Sequence, residues 1–377
     1  MTFRVGVIGG GQLARMMIEP ALAMGLEIKV FAETEGSSAA LAATQVGDYT
    51  NVAEVREFAK TVDVITFDHE HVPLNVLEAL ESEGVSIQPP PKALKFAQNK
   101  LHMRIRLTEL GLPMPAWAEI KTADELDKFI AENGGVAILK TPIGGYDGKG
   151  VAVVRSSADA AEWLANIDAF GGSLLAEQKV EFVRELAQLI ARRPSGDVRH
   201  WPLVQTVQRN GVCSEVLVPA PNTSAEALAR AAQIAQTVAS GLGVTGVLAV
   251  EMFETADGEY FINELAMRPH NSGHFSIEGS VTSQFEQHIR AVLDLPLGSV
   301  DSVAAHSVMV NLLGVDDQND FVSVYPKTMA DHPSAKFHTY GKSARQGRKM
   351  GHITVIGDNE AQVLAEARAA ASVCLQG

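Results

Sequence analysis

Short apolar runs alternate with amphipathic stretches over the first part of the chain. Arg4–Ile8, Glu27–Phe31 and Val62–Phe67 read as strands buried on both faces. Leu13–Met24, Val52–Lys60 and Leu74–Glu83 repeat apolar positions at helical spacing. Strands and helices taken in turn predict a parallel sheet. Gln88-Pro-Pro-Pro91 ends that pattern, and Ala93–Leu110 reads as one helix that Gly111-Leu-Pro-Met-Pro115 stops.

From Ala116 onward the pattern becomes mixed. A strand precedes a helix with a capping box at Thr122 and Glu125, and a second strand runs from Ile138 to Lys140. After a glycine-rich loop come the strand Val151–Val154, a helix over Ser157–Ile167 and the strand Leu174–Gln178. Strands dominate Glu181–Val218, with turns at Pro194-Ser-Gly-Asp197 and Arg209-Asn-Gly211, before a long helix over Ser224–Ser240. A helix near Phe285–Leu293 is followed by a small strand-rich unit that closes with the helix Glu360–Ser372. The expected fold class is α/β followed by α+β. The expected domains are 1–95, 96–300 and 301–377.

A chain of 377 residues with 46% hydrophobic and 20% charged positions has ample core for several domains. Its formal net charge of -14 argues against a broad nucleic-acid or anionic-membrane surface, while leaving room for a local basic pocket. Cys213 and Cys374 match no metal-ligand spacing and read as reduced structural thiols. The N-terminus enters a strand directly and no apolar run spans a bilayer, so the cytoplasm is the expected compartment.

The chemistry begins at Lys140, where the strand spills into Gly144-Gly-Tyr-Asp-Gly-Lys-Gly150. Gly144, Gly145, Gly148 and Gly150 let backbone N–H groups approach an anion, with Lys140 and Lys149 supplying positive charge. No Gly-Lys-Ser/Thr opens a helix, so this is a flap over a nucleotide rather than a Walker loop, unless the glycines serve only a hairpin turn. Gly9-Gly-Gly-Gln-Leu-Ala14 sits at the first strand-to-helix turn and fits either a dinucleotide, with Glu33 as ribose-binding acid, or any phosphate at a helix N-terminus.

Val247–Phe253 and Tyr260–Leu265 flank Asp257-Gly258, the preferred pair for a two-residue hairpin. That turn predicts the pairs 254 with 261, 252 with 263 and 251 with 264. Glu251 and Glu264 would then face each other about 5 Å apart, a destabilising arrangement without a cation. Mg²⁺ suits two such carboxylates, completing its shell with substrate phosphates and water. The alternatives are a slipped register, a shared proton or a contact with Arg268. Asn263 would fall on the opposite face and could join only through a bulge or twist. Arg268, His270, Asn271, Ser272 and His274 follow in a polar loop suited to substrate contact. Lys342, Arg345, Arg348 and Lys349 form a basic cluster that is either a second anion site or a solvated turn.

These motifs resemble those of the ATP-grasp enzymes, and more narrowly the N5-carboxyaminoimidazole ribonucleotide synthetase family. The resemblance spans nearly the whole chain. It rests on Gly9–Met16, Lys140 with Gly144–Gly150, Asn263-Glu-Leu-Ala-Met-Arg-Pro-His-Asn-Ser-Gly-His274 and Gly347-Arg-Lys-Met-Gly-His352. It implies an ATP-grasp fold with an N-terminal Rossmann-like domain and a small C-terminal strand-rich domain. The implied activity joins bicarbonate to the amine of 5-aminoimidazole ribonucleotide at the expense of MgATP, through carboxyphosphate and without biotin, in purine synthesis. Mn²⁺ is admissible in place of Mg²⁺. The implied partners are small-molecule substrates and a second copy of the chain in a homodimer, with no nucleic acid and no membrane.

Residue by residue, the resemblance implies that Lys95 and Lys140 contact ATP phosphates under the 144–150 flap, and that Glu177, Gln178, Val180 and Gln208 form the adenine end. Glu185 would hold the ribose, Asn263 would stand beside the nucleotide, and Glu251 and Glu264 would bind the metal. The ribonucleotide phosphate would meet Gly10, Gly11, Gln12, Leu13, Lys342, Arg345 and Arg348, with Glu70, Asn271 and Ser272 nearby. Tyr146, Asp147, Lys149, Arg268 and His270 would surround the reacting groups. Val151 stands where the family often has Gln, and Gln208 where some members have His. A formate-using glycinamide ribonucleotide transformylase and a Rossmann NAD-dependent oxidoreductase are the rival readings.

Overall fold

The computed structural model describes residues 2–144, 150–209, 211–315 and 320–375. The expected parallel sheet is present, in the order Ala43–Val46, Glu27–Ala32, Arg4–Ile8 and Val64–Phe67. Val5, Val7, Ile8, Val30, Phe31 and Ile65 are wholly buried, as parallel strands covered on both faces require. A second sheet is antiparallel, ordered Trp117–Ile120, Leu174–Gln178, Ala137–Lys140 and Val151–Val154. The Thr122 and Glu125 capping box forms. Lys140 pairs with Val151, so the glycine-rich segment joins two strands of a hairpin.

The third sheet has nine strands and organises the rest of the molecule. At one edge lies the hairpin Gly246–Thr255 and Tyr260–Ala266, and the sheet continues through Phe182–Arg192, Val204–Arg209 and Val212–Val218. It then runs into His306–Leu313, Lys349–Gly357 and Lys336–Thr339. The C-terminal strands therefore do not make a sheet of their own. Glu215 to Val218 pair with Val310 to Ser307, which ties the C-terminal segment rigidly to the central one.

Two local departures from the sequence pattern matter for the site. The expected helix Ala93–Leu110 is split into Pro91–Gln98 and Lys100–Glu109. Asn99 breaks it, taking an extended conformation while its side chain accepts from the His102 N–H, the behaviour of an N-cap. Lys100 is thereby placed at the start of a helix.

The second departure is in the hairpin. Its loop has three residues, not two: Thr255 N–H bonds to Glu259 O at 3.0 Å, and Gly258 takes φ 78°. The pairs near the turn are accordingly 254 with 260 and 252 with 262, one residue away from the expected ones. A bulge follows between Glu251 and Met252, absorbs Asn263, and restores Glu251 opposite Glu264. The expected pairing holds, through two offsets that cancel.

No atom lies within 4 Å of a Cβ built on Gly258, so Gly258→Ala adds backbone strain without a clash. It should lower unfolding stability by about 1 kcal/mol in a urea titration. Unchanged stability would contradict the three-residue turn.

Candidate active site

One cleft of about 1480 Å³ runs between the three sheets, and most of the side chains singled out from the sequence line it. Gln12, Leu13, Glu70, Lys140, Gly144, Glu177, Gln178, Val180, Glu185 and Gln208 are among them. So are Glu251, Asn263, Glu264, Arg268, His270, Asn271, Lys342, Arg345 and Arg348. Gly145, Tyr146, Asp147, Gly148 and Lys149 lie outside the described residues.

The carboxylate pair sits in the middle of the cleft. Each member has a nitrogen donor against it: Glu251 Oε1 lies 2.9 Å from His270 Nε2, and Glu264 Oε1 lies 3.2 Å from Lys100 Nζ. Burial pushes the Glu251 carboxyl up, but His270, Lys349 and Arg268 outweigh it and keep it ionised. The expected alternative contact with Arg268 does not form, because Glu70 takes that guanidinium at 2.8 Å. Among the described residues there is no cluster of three or more metal-ligating side chains. The donor set therefore fits a hard cation that takes one or two carboxylates and fills its shell from phosphate and water, and does not fit an all-protein cage.

His270 is fixed from several sides. The Gln284 amide accepts from its backbone N–H at 2.9 Å and donates to its carbonyl at 2.8 Å. Ser272 Oγ lies 2.9 Å from His270 Nδ1. With Ser272 donating to Nδ1, the neutral ring presents Nε2–H to Glu251. Ser272 is wholly buried and does not line the cleft, so the expectation of a substrate contact is corrected: it orients His270.

At the nucleotide end, the Lys140 ammonium lies 2.7 Å from Glu177 and 3.1 Å from Asn263 Oδ1. Glu177 is also gripped by Arg104 at 2.6 Å. Its carboxylate is thus held between two cations at the wall of the cleft. Phe182 and Phe253 stack at 4.6 Å between ring centroids and add an aromatic wall. Burial, then repulsion from Glu251, raise the Glu185 carboxyl to about 7 against the help of Gln208.

Lys95 does not reach the cleft. Its ammonium sits 5.0 Å from the centre of the Phe96 ring, whereas Lys100 lines the cleft beside Glu264. Read as one continuous helix, the segment hid the Asn99 N-cap that would have marked Lys100. Lys349 also lines the cleft. Gly150 bonds back to Thr141 at the hairpin base and lies outside the lining.

The opposite end is built by residues far apart in sequence. Gly10 N–H donates to Glu33 at 3.0 Å, and His69 lies 2.8 Å from the same carboxylate, holding its pKa down at about 2 despite the burial that opposes this. Glu33 therefore takes the Gly10 donor and closes the turn itself. A Cβ on Gly11 would lie 2.0 Å from the Asp68 carboxylate, and Ala14 N–H donates to Asp68 at 2.7 Å. Gln12 and Leu13 are left facing the cleft. Lys342 Nζ donates to Gln12 Oε1 at 2.5 Å, and Ser38 Oγ donates to the Tyr340 carbonyl, also at 2.5 Å. Lys342 thus anchors the basic loop on the glycine turn, while Arg345 stays exposed and Arg348 donates to Ser343.

Comparison with known proteins agrees with this arrangement. The ribonucleotide synthetase preATP-grasp domain matches residues 1–98, the ATP-grasp domain 105–285, and the phosphoribosylaminoimidazole carboxylase C-terminal domain 307–366. The N5-carboxyaminoimidazole ribonucleotide synthase of Mycobacterium tuberculosis (strain H37Rv) is 46% identical over 372 residues, covering 97% of this chain and 86% of its own. That of Corynebacterium ammoniagenes is 45% identical, covering 97% and 91%. Among solved structures, the Aspergillus clavatus synthase in complex with ADP and 5-aminoimidazole ribonucleotide superposes with a TM-score of 0.89 at 33% identity, covering 100% of this chain and 99% of that one. The ADP complex of another such synthetase gives 0.89 at 34% identity, with the same coverage. The chain belongs to the N5-carboxyaminoimidazole ribonucleotide synthases, ATP-dependent ligases of the ATP-grasp fold.

Proposed function

We propose that the chain carboxylates the exocyclic amine of 5-aminoimidazole ribonucleotide, using ATP and bicarbonate. The observation that carries this reading is the single cleft joining the Glu251 and Glu264 pair to the docked Gln12 and Lys342. A nucleotide and a phosphorylated acceptor can occupy opposite ends with their reacting groups meeting in the middle. An NAD-dependent oxidoreductase has no use for the carboxylate pair, and Glu33 closes the turn where its cofactor would bind. The docked basic loop favours the synthase over the formate-using transformylase.

The bicarbonate oxygen attacks the γ-phosphoryl group and ADP leaves, giving carboxyphosphate. The amine then bonds to the carboxyl carbon, either directly or after CO₂ is released; phosphate departs and takes up the proton that the amine loses. Lys140 and Lys100 offset charge on the transferring oxygens. Glu251 and Glu264 would hold Mg²⁺, which when bound draws the phosphate oxygens together and neutralises part of their charge. Arg268, fixed by Glu70, and His270, fixed by Ser272 and Gln284, orient the acceptor. Lys342, Arg345 and Arg348 hold its phosphate. A homodimer in the cytoplasm completes the proposal, with support from the family alone.

Phosphate release from MgATP with bicarbonate should be strongly stimulated by aminoimidazole ribonucleotide. Glu264→Ala should fall by at least about a hundredfold in that assay while remaining folded by circular dichroism. Wild-type turnover in the variant would remove the metal assignment, and absence of stimulation in the wild type would remove the proposed reaction.

Glu185 yields a pH signature. Its folded pKa of about 7 exceeds the reference 4.5, so the stability it contributes is complete below about 4.5 and is lost as pH rises through about 7. Ribose hydroxyls donate to the ionised form, so the expected affinity for ADP rises over the same interval, with proton release on binding. Calorimetry in buffers of different ionisation enthalpy should show that release near pH 6.5 to 7 and its loss in Glu185→Gln. Identical proton release in both proteins would contradict the ribose assignment.

A further inference from the structure

Arg104 has no assigned part in the chemistry, yet it is wholly buried and joins both walls of the nucleotide end. Its position follows from the helix Lys100–Glu109, on which residues four apart share a face. Lys100 reaches Glu264, and one turn later Arg104 reaches beneath it.

The strand Tyr260–Ala266 is the outer strand of the nine-stranded sheet, so its outward carbonyls have no neighbouring strand to bond. Arg104 Nη1 donates to Ile262 O at 3.1 Å and Nη2 donates to Asn263 O at 2.8 Å. In a regular strand successive carbonyls point to opposite sides, and one guanidinium could not meet both. Both point at Arg104 because the bulge lies here, and the planar fork matches that pair. The third arm, Nε, donates to Glu177 Oε1 at 2.6 Å, and the other Glu177 oxygen holds Lys140 at 2.7 Å. Lys140 in turn donates to Asn263 Oδ1 at 3.1 Å, which closes the ring of contacts.

We propose that Arg104 is a positioning residue for the nucleotide half of the reaction: its fork locks the bulge that sets Glu264 opposite Glu251, and through Glu177 it fixes the Lys140 ammonium. This rests on the ATP-dependent reading of the cleft. A lysine at 104 keeps the charge but cannot bridge two carbonyls and a carboxylate together. The ribonucleotide end is built separately, by Lys342 donating to Gln12 and Arg348 donating to Ser343.

Steady-state kinetics of Arg104→Lys, checked for folding by circular dichroism and thermal melting, separates the two halves. The KM for MgATP should rise about tenfold, with a higher Mg²⁺ requirement, while the KM for aminoimidazole ribonucleotide stays within about twofold. A folded variant with both constants unchanged overturns the proposal, as does an equal rise in both, which marks a general structural role. Should the single variant not fold, Arg104→Met/Glu177→Gln removes both buried charges at once and is read by the same two constants. A wild type that binds no nucleotide would instead overturn the reading on which the proposal stands, and is seen before any variant is made.

Discussion

Everything in the cleft is arranged around two carboxylates held face to face. Glu251 and Glu264 are opposed across antiparallel strands, where like charges repel unless positive charge lies between or beside them. Lys100 supplies it beside Glu264, and the His270 ring donates a hydrogen bond to Glu251. That requirement explains why Gln284 and Ser272 immobilise His270, and why Asn99 breaks a helix at the point that delivers Lys100. A site that gathers anions must be built from groups that tolerate their repulsion until the substrates and their cation arrive.

The same logic governs the distant end. A phosphate approaching the first helix meets Glu33 and Asp68 already occupying the Gly10 and Ala14 donors. Lys342 brings positive charge to Gln12 on the same turn. Its loop reaches the turn because the C-terminal strands continue the central sheet, which fixes their position over some three hundred residues of sequence. The continuous sheet thus lets one cleft hold two anionic substrates.

Much of this was legible in the sequence, and the reasons are specific. Alternating βα units gave the parallel sheet because buried strands have few other compositions. The opposed pair at 251 and 264 was found, but by a two-residue turn where the structure has three residues and a compensating bulge. A bulge leaves no mark in apolar alternation, so the place of Asn263 was out of reach. The resemblance implies Lys95, and an unbroken helical pattern offers no sign of Lys100; only the Asn99 cap marks it. The Arg104 contact to Glu177 was out of reach because a buried arginine on a charged helix face has no signature in one sequence. Arg104, Gln284 and Asp68 act through backbone groups and other side chains, which sequence spacing does not reveal.

The proposed reaction requires bicarbonate to be phosphorylated in the middle of the cleft and consumed there. Turnover with ¹⁸O-labelled bicarbonate, ATP and aminoimidazole ribonucleotide tests this directly, read by mass spectrometry of the released phosphate. One labelled oxygen per phosphate is the predicted result, since the bicarbonate oxygen that attacks the γ-phosphoryl group leaves with it. Phosphate free of label, at a normal rate of carboxylated product, would contradict the account.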